Sequence, residues 1–284
     1  MVKKSTIQLL RFHFSLFLMP VYWFALSQVG DKDIFSCLII FFILHLLVYP
    51  SSNGYNSYMD RDETSIGGLK NPSQPTKQLF YTSVIMDAVA LLLSFLVSAY
   101  FVAGIFAYIL SSRAYSYRGI RLKKYAVIGY LTVVLFQGAV IFFLVYHGCS
   151  SDKTLHVPAL CMLASALLIG GFYPLTQIYQ HDADAKDNVK TISYLLGYRG
   201  TFIFCALVYC AAFGTLAFYF ISNGQEKHFF IFSTVMLPVI VYFISWAIKV
   251  WKNKSAASFS NTMRMNLIAS LCTNIGFIVV LLQK

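Results

Sequence analysis

Asn53-Gly54-Tyr55-Asn56-Ser57-Tyr58-Met59-Asp60-Arg61-Asp62-Glu63 closes a long apolar run and packs Asp60, Asp62 and Glu63 into four positions, in a chain with only eleven acidic residues. A second stretch, Gln180-His181-Asp182-Ala183-Asp184-Ala185-Lys186-Asp187, also ends an apolar run and holds Asp182, Asp184 and Asp187. Six of the eleven Asp and Glu therefore lie in two short segments. Asn56 and Asp60 are four residues apart, as are Gln180 and Asp184, and the two pairs are offset by 124 residues. Matching acidic sites in two halves of a chain suggest a divalent metal site at a pseudo-symmetric interface.

The rest of the composition says where such a site would sit. Of the 284 residues, 58% are hydrophobic and only 12% charged, against about 25% charged in soluble domains. The mean hydropathy is +0.67. A single soluble core does not bury that much apolar surface, so a lipid bilayer is the expected solvent for much of the chain. The net charge of +11 would suit nucleic acid, but in a membrane protein it is the excess of Lys and Arg expected in cytoplasmic loops. No nucleic-acid partner is expected. The six cysteines form no C-x-x-C pair and mostly fall inside apolar runs, where cysteine acts as a small hydrophobe. Neither a disulfide framework nor a zinc site is expected. Met1-Val2-Lys3-Lys4 precedes an apolar run with no small-residue cleavage site, which reads as a retained first helix and not a signal peptide.

A membrane-crossing helix needs about 20 largely apolar residues. Nine stretches qualify, roughly 7–28, 34–55, 78–98, 99–116, 125–147, 157–179, 197–222, 228–249 and 264–282. The predicted fold is an all-α membrane protein forming one domain over residues 1–284. It comprises two four-helix pseudo-repeats and a ninth helix. Each half carries an acidic stretch after its second helix and a basic loop after its fourth. The connection from Asn56 to Lys77 is long for a helical bundle, as functional loops often are. With a cytoplasmic N-terminus, 18 of the 22 Lys and Arg fall inside, leaving Lys32, Lys153, Lys227 and Lys284 outside. That bias places both acidic stretches on the cytoplasmic side of a multi-pass protein, expected in the cytoplasmic membrane.

At a helix end, Asn56 and Asp60 share a face one turn apart. An amide oxygen and a carboxylate so placed can bind Mg²⁺, which takes few protein ligands and keeps water or phosphate oxygens in its other positions. A helix cap would explain one acidic residue, not three. Gln180 and Asp184 repeat the geometry. The third constellation is Tyr115-Ser116-Tyr117-Arg118-Gly119-Ile120-Arg121-Leu122-Lys123-Lys124. Carboxylates that hold metal and cations that reach outer oxygens together suit a diphosphate, although a cytoplasmic loop carries positive charge in any case. Asp87 lies in the middle of the third stretch, where a charge is costly; the choice is between a functional group and a neutral or structurally paired carboxyl, and the structural reading is favoured. Gln137, Asn266 and Asn274 read as interhelical hydrogen-bonding residues. None of the six histidines shows metal-ligand spacing.

These motifs, in this order, resemble the UbiA superfamily of intramembrane aromatic prenyltransferases, over essentially the whole chain. The family's first motif, N-D-x-x-D-x-x-x-D, is matched at Asn56 and Asp60. Its second, D-x-x-x-D-x-x-x-D followed by T-x-x-x-x-L-G, is matched at Asp184, Thr191, Leu196 and Gly197. The segment Tyr115-Ser116 with Arg121-Leu122-Lys123 is similar to the family's Y-S-x-x-x-x-R-L-K. Ser57, Thr64, Gln180 and Asn188 stand where the family usually has acids. Either Asp62, Glu63, Asp182 or Asp187 completes the ligand set, or this is an atypical member with weaker metal binding or altered chemistry.

The resemblance implies transfer of a prenyl group from a prenyl diphosphate to an acceptor, expected to be aromatic, with Mg²⁺ as cofactor. It makes Asp60 and Asp184 the expected catalytic residues. Asn56, Asp60, Asp62, Gln180, Asp184 and Asn188 are the expected metal set, and Tyr115, Arg121, Lys123 and Lys186 the expected substrate contacts. Two other readings compete: a transporter built from two pseudo-repeats, which should show matched breaks in its helices, and a relative that binds prenyl lipid without catalysis.

Overall fold

The computed structural model describes residues 3–283. Met1 and Val2, part of the N-terminal stretch read for a signal peptide, and Lys284, one of the four outside cations, lie outside the described residues. Among the described residues there are helices and no strands, with only two isolated β-bridges. The helices are α1 (Lys4–Leu10), α2 (Met19–Gln28), α3 (Ile34–Phe42), α4 (Tyr49–Asp60), α5 (Lys77–Ser94), α6 (Ala99–Ser116) and α7 (Ala126–Val133). They continue with α8 (Ile141–Cys149), α9 (Ala159–Gln177), α10 (His181–Lys186), α11 (Ile192–Ser222), α12 (Glu226–Val235), α13 (Leu237–Lys252) and α14 (Phe259–Leu282).

A π-helical turn, Ile43–Val48, joins α3 to α4, and another, Val134–Val140, joins α7 to α8. Each of these pairs therefore runs as one long helix, Ile34–Asp60 and Ala126–Cys149. Among the described residues six helices are long and apolar enough to cross a membrane, or eight if two bent pairs each count as one span. All nine stretches anticipated from the sequence are helical, but α6 is not among those eight. Its last two turns carry Ser111, Ser112, Arg113 and Ser116, which dilute an otherwise apolar run. A count of nine spans is thus not established by length and composition. The boundary between α5 and α6 falls at Ser98, whose side chain caps α6 by accepting a hydrogen bond from the Phe101 N–H at 3.0 Å.

Two helices break where the sequence reading expected none. The first stretch bends by 41° between Lys4–Phe17 and Met19–Gln28; further back, Arg11 separates α1 from the 3₁₀ turn Phe12–Phe17 and is left-handed at φ 49°. The other bend, 43°, separates α12 from α13. The two breaks fall in the first and eighth stretches, which do not correspond between the halves, so they are not the matched breaks of a repeat transporter.

The core runs through the bundle axis. Phe24 of α2 stacks on Phe277 of α14 with ring centroids 4.4 Å apart, and Phe277 stacks on Phe232 of α12 at 4.4 Å. Helix α9 lies along α11 on one side and the second π-helical turn on the other, where a Cβ on Gly138 would come within 2.5 Å of the Ala166 backbone. Many outward residues of α5, α6, α11 and α13 are exposed Leu, Ile, Val and Phe, the composition of a lipid-facing surface.

The two ends of the bundle differ in chemistry. At one end, Asp33 N–H donates to Cys149 O at 2.9 Å, and Lys153 pairs with Asp33 at 3.0 Å. At the other end the 61–76 connection, the α6–α7 loop and α10 come together. The 61–76 connection is ordered by the first helix: Arg11 donates to Gly67 O at 3.1 Å, and Ser73 N–H donates to Gln8 Oε1 at 3.0 Å.

Asp87 of α5 is buried and forms an ion pair with Arg113 of α6. Ser51 of α4 donates to Asp87, and Arg113 donates to Ser51 at 2.8 Å. The Arg113 guanidinium also lies 4.0 Å from the Tyr55 ring centre. Three helices are thus tied at one buried charge pair, the structural pairing expected for Asp87. Asn274 donates to Leu16 O at 3.2 Å, an interhelical bond as anticipated. Asn266 departs from that expectation: both its side-chain polar atoms are buried without a hydrogen-bond partner.

Candidate active site

Helix α4 ends at Asp60 because Arg61 turns left-handed at φ 54°, its N–H closing on Ser57 O at 3.1 Å. Asn56 and Asp60 therefore sit on the last turn, at the negative end of the helix dipole. Arg118 compensates that end, donating to Met59 O at 2.8 Å and Asp60 O at 3.2 Å. The second stretch folds as the short α10. Thr191 caps α11 by accepting from Tyr194 N–H at 3.2 Å, and its hydroxyl faces Asp184 at 3.5 Å. Six residues on, Gly197 adopts φ 67° and ψ 177°, a region open only to glycine. The kink there lets α11 turn away from the site, and Thr201 bridges it by donating to Gly197 O at 2.7 Å. The Thr–Leu–Gly tail of the motif is thus a cap and a bend.

A polar cavity of about 170 Å³ opens between the two stretches. Asn56, Asp60 and Asp62 line it from one side, Gln180 and Asp184 from the other, with Tyr115 and Lys123 between. Gln180 also donates to Ser65 O at 3.4 Å, linking α10 to the 61–76 connection. The basic loop holds the two acidic stretches together. Lys123 pairs with one Asp60 oxygen, Arg121 lies 3.6 Å from the other, and Arg121 also pairs with Asp187. Lys190 N–H donates to Lys124 O at 3.3 Å. Tyr115 bonds through its hydroxyl to that of Tyr173, while Ser116 donates to Asn56 Oδ1 at 2.9 Å. The Tyr–Ser pair therefore positions one cavity wall and orients the Asn56 amide.

Three expected residues are placed differently. Arg121 does not line the cavity but acts on it through Asp60 and Asp187. Lys186 and Asn188 are exposed and are not part of its wall, and Asp182 is exposed as well. Conversely, Arg11, Tyr173, Thr176 and Gln177 line the cavity unannounced, and Thr191, known from the sequence only as part of the motif's tail, lines it too. Arg11 had counted only as a topology charge, and an arginine inside an apolar run was the available signal. It is buried, and its Nε has no hydrogen-bond partner.

The donor set suits a hard dication. Burial and then the neighbouring Asp60 push the Asp62 carboxyl up to about 6. Burial raises Asp184 to about 7, with Asp62 and Asp60 adding to the rise against Lys123. Carboxylates that resist charging beside one another are stabilised by a cation placed among them. Asp60 Oδ1 is buried with no hydrogen-bond partner. Among the described residues no three His, Cys, Asp or Glu side chains converge tightly enough to encage a metal. The arrangement fits an ion such as Mg²⁺, which draws few ligands from protein and the rest from phosphate and water.

The profile of the UbiA prenyltransferase family matches residues 17–268. No curated protein matches the chain. Solved structures similar over nearly the full length include a UbiA homolog from Archaeoglobus fulgidus bound to DMAPP and Mg²⁺, with 16% identity, TM-score 0.73 and 98% and 99% of the two chains covered. The apo structure of a UbiA homolog from Aeropyrum pernix K1 matches at 16% identity and TM-score 0.70, covering 95% and 98%. A structure described for digeranylgeranylglyceryl phosphate synthase in membranes matches at 18% identity and TM-score 0.65, covering 99% of each chain. At these identities the likeness is one of fold.

Proposed function

The chain belongs to the UbiA prenyltransferase family, and from that premise we propose that it transfers a prenyl group from a prenyl diphosphate to an aromatic acceptor. The observation that carries this reading is the cavity in which Asp60, Asp62 and Asp184 face Lys123 and Arg11. It pairs carboxylates for metal with cations for phosphate oxygens. The relative from Archaeoglobus fulgidus bound to DMAPP and Mg²⁺ supports it.

Asp60, Asp62 and Asp184, with the amide oxygens of Asn56 and Gln180, would hold Mg²⁺, which when bound supplies positive charge to a leaving diphosphate. Lys123 and Arg11 donate to its outer oxygens, and Arg121 keeps the loop and α10 closed around it. Ser116 fixes the direction of the Asn56 oxygen. In our reading the chain crosses the membrane nine times with its N-terminus and this site in the cytoplasm. Epitopes inserted at Thr64 and Asn188 should then be reachable only from inside, and labelling from outside at either one contradicts that orientation.

The test of function is release of diphosphate from geranyl diphosphate by the purified protein with and without Mg²⁺. Metal-dependent release supports the enzyme. Saturable binding of geranyl diphosphate without release indicates the relative that binds prenyl lipid only.

A further inference from the structure

An apolar groove of about 290 Å³ lies between α11 and α13 and shares no wall residue with the acidic cavity. Helix α11 packs closely along α9 and only loosely on α13. The contacts Tyr209–Phe243, Phe202–Trp246 and Arg199–Trp251 show that α11 and α13 run antiparallel. On α11, Arg199, Ile203, Ala206, Cys210 and Phe213 follow the spacing of one helix face. The last three of them line the groove. On α13, Val241, Ile244, Ile248 and Lys252 follow the same kind of spacing and are all exposed, with Ile244 in the groove wall. Two apolar stripes therefore leave the groove and end in a cation at the same end of the bundle. That is the end of the acidic cavity, since Thr191, which caps α11, lines it.

The two cationic ends meet. Arg199 donates to Trp251 O at 3.0 Å, and its guanidinium lies 5.9 Å from the centre of the Trp251 ring. Lys249, Lys252 and Lys254 stand beside them, exposed. None of these four cations forms an ion pair among the described residues. The dipole of α13 leaves roughly half a negative charge at its C-terminus, far less than four cations bring. A guanidinium has five N–H donors, and Trp251 O occupies one of the Arg199 nitrogens. Tryptophan marks the headgroup level of a bilayer, and basic pockets between helices at that level bind anionic head groups. From Arg199 to Cys210 the helix rises about 16 Å, and the hydrocarbon of one leaflet is about 15 Å deep. The groove thus lies at the depth an acyl chain reaches from a headgroup at Arg199.

We propose that the α11–α13 face holds one anionic phospholipid of the leaflet on the acidic cavity's side. Its phosphate lies against Arg199 and Lys252, and one acyl chain runs past Ile203 and Ile248 into the groove. Charge and shape select together. The groove alone accepts any hydrocarbon and the cations alone accept any anion, but a continuous apolar stripe joins the two. A headgroup of net negative charge neutralises the unpaired cations, whereas a zwitterionic one brings a cation of its own. The chain fills the gap where α11 and α13 pack loosely, so the lipid fastens one helix to the other.

The test is native mass spectrometry of the full chain in detergent, after incubation with equimolar palmitoyl-oleoyl phosphatidylglycerol and phosphatidylcholine. One phosphatidylglycerol should be retained per chain in clear preference to phosphatidylcholine. Retention should fall about fivefold for each cation removed, in Lys252→Gln and further in Arg199→Gln with Lys252→Gln. Cys210→Trp, which fills the groove and leaves the cations in place, should weaken it as well. Lys77→Gln, at the start of α5, should leave it unchanged, and so should millimolar inorganic phosphate. Equal retention of the two lipids by the wild-type chain overturns the proposal, as does unchanged retention in both cation variants. An equal loss in Lys77→Gln, displacement of the lipid by phosphate or geranyl diphosphate, or a lipid-free dimer overturns it too. If Arg199→Gln or Cys210→Trp lowers Tm in detergent, the exposed Lys252→Gln and the wild-type lipid preference decide.

Discussion

Lys123 of the α6–α7 loop pairs with Asp60 at the end of α4, joining the cationic and acidic stretches into one wall of the cavity. Arg121 reaches the other oxygen of the same carboxylate at 3.6 Å and extends to Asp187 beyond α10. The pairs are partly buried, with Asp60 exposing only 5% of its side chain. A desolvated pair of this kind is costly to break from one side. The loop therefore both closes the site and carries the charge that a phosphate would meet.

Replacing Lys123 by Ala removes a cation that we propose meets phosphate and leaves Asp60 with one cation fewer. Loss of a charge-assisted hydrogen bond costs about 1.5–3 kcal/mol. We expect kcat/KM for the prenyl diphosphate to fall roughly ten- to hundredfold, with kcat falling as well, because charge on the diphosphate grows as it departs. Arg121→Ala should act in the same direction through the loosened loop. Unchanged kinetics at limiting donor in both variants would reduce the loop to a topology signal.

Arg113→Ala isolates the buried Asp87 carboxylate between α4, α5 and α6. Removing one partner of such a pair costs about 3–5 kcal/mol, which thermal unfolding in detergent would register as a large fall in Tm. The double variant Arg113→Leu with Asp87→Leu should recover part of it, since neither charge then remains unpaired. Asp87→Asn should lower Tm while the folded fraction keeps most of its turnover. Full stability with no turnover in Asp87→Asn would place that residue in the chemistry.

Gly197→Ala puts a side chain where the backbone has φ 67° and ψ 177°. The strain is about 1–3 kcal/mol, and no atom outside the local chain stands within 4 Å of the added Cβ. The cost is therefore backbone strain, relieved by straightening α11 and moving Thr191 relative to Asp184. We expect a lower Tm together with a higher Mg²⁺ requirement for turnover. A variant as stable as the parent would show that the bend is not imposed by this residue.

Much of the site was legible because it is local. Asn56 and Asp60 share a face by helical spacing alone, and Asp184 answers Asp60 by its place in the second half. Tyr115-Ser116 and Arg121-Leu122-Lys123 were found as a motif, although the contacts Ser116 makes to Asn56 and Arg121 makes to Asp187 were not. Arg11 stayed hidden for a physical reason. A lone arginine near the N-terminus of an apolar run has the same pattern whether it faces cytoplasm or cavity, and its left-handed φ has no sequence marker of the kind glycine gives. Tyr173 and Gln177 look like ordinary members of the α9 run, since only the fold turns that face toward α4. The 61–76 connection read as a loop of undefined course, because its bonds go to Gln8 and Arg11, more than fifty residues away. Helix α6 was bounded correctly, but Ser111, Ser112, Arg113 and Ser116 leave it outside the helices apolar enough to count as spans by composition.

The central claim is that Asp60 and Asp184 hold the metal that drives ionisation of the diphosphate. The measurement that tests it most directly is prenyl transfer by purified, folded Asp60→Asn and Asp184→Asn proteins across a Mg²⁺ titration. Each substitution keeps the shape and removes one negative charge beside a dication. The account predicts a loss of roughly 10²–10³ in kcat, the scale for a preorganised electrostatic group, with partial recovery at high Mg²⁺ and a smaller loss in Asp187→Asn. Near-normal turnover in both variants at low Mg²⁺ would contradict it.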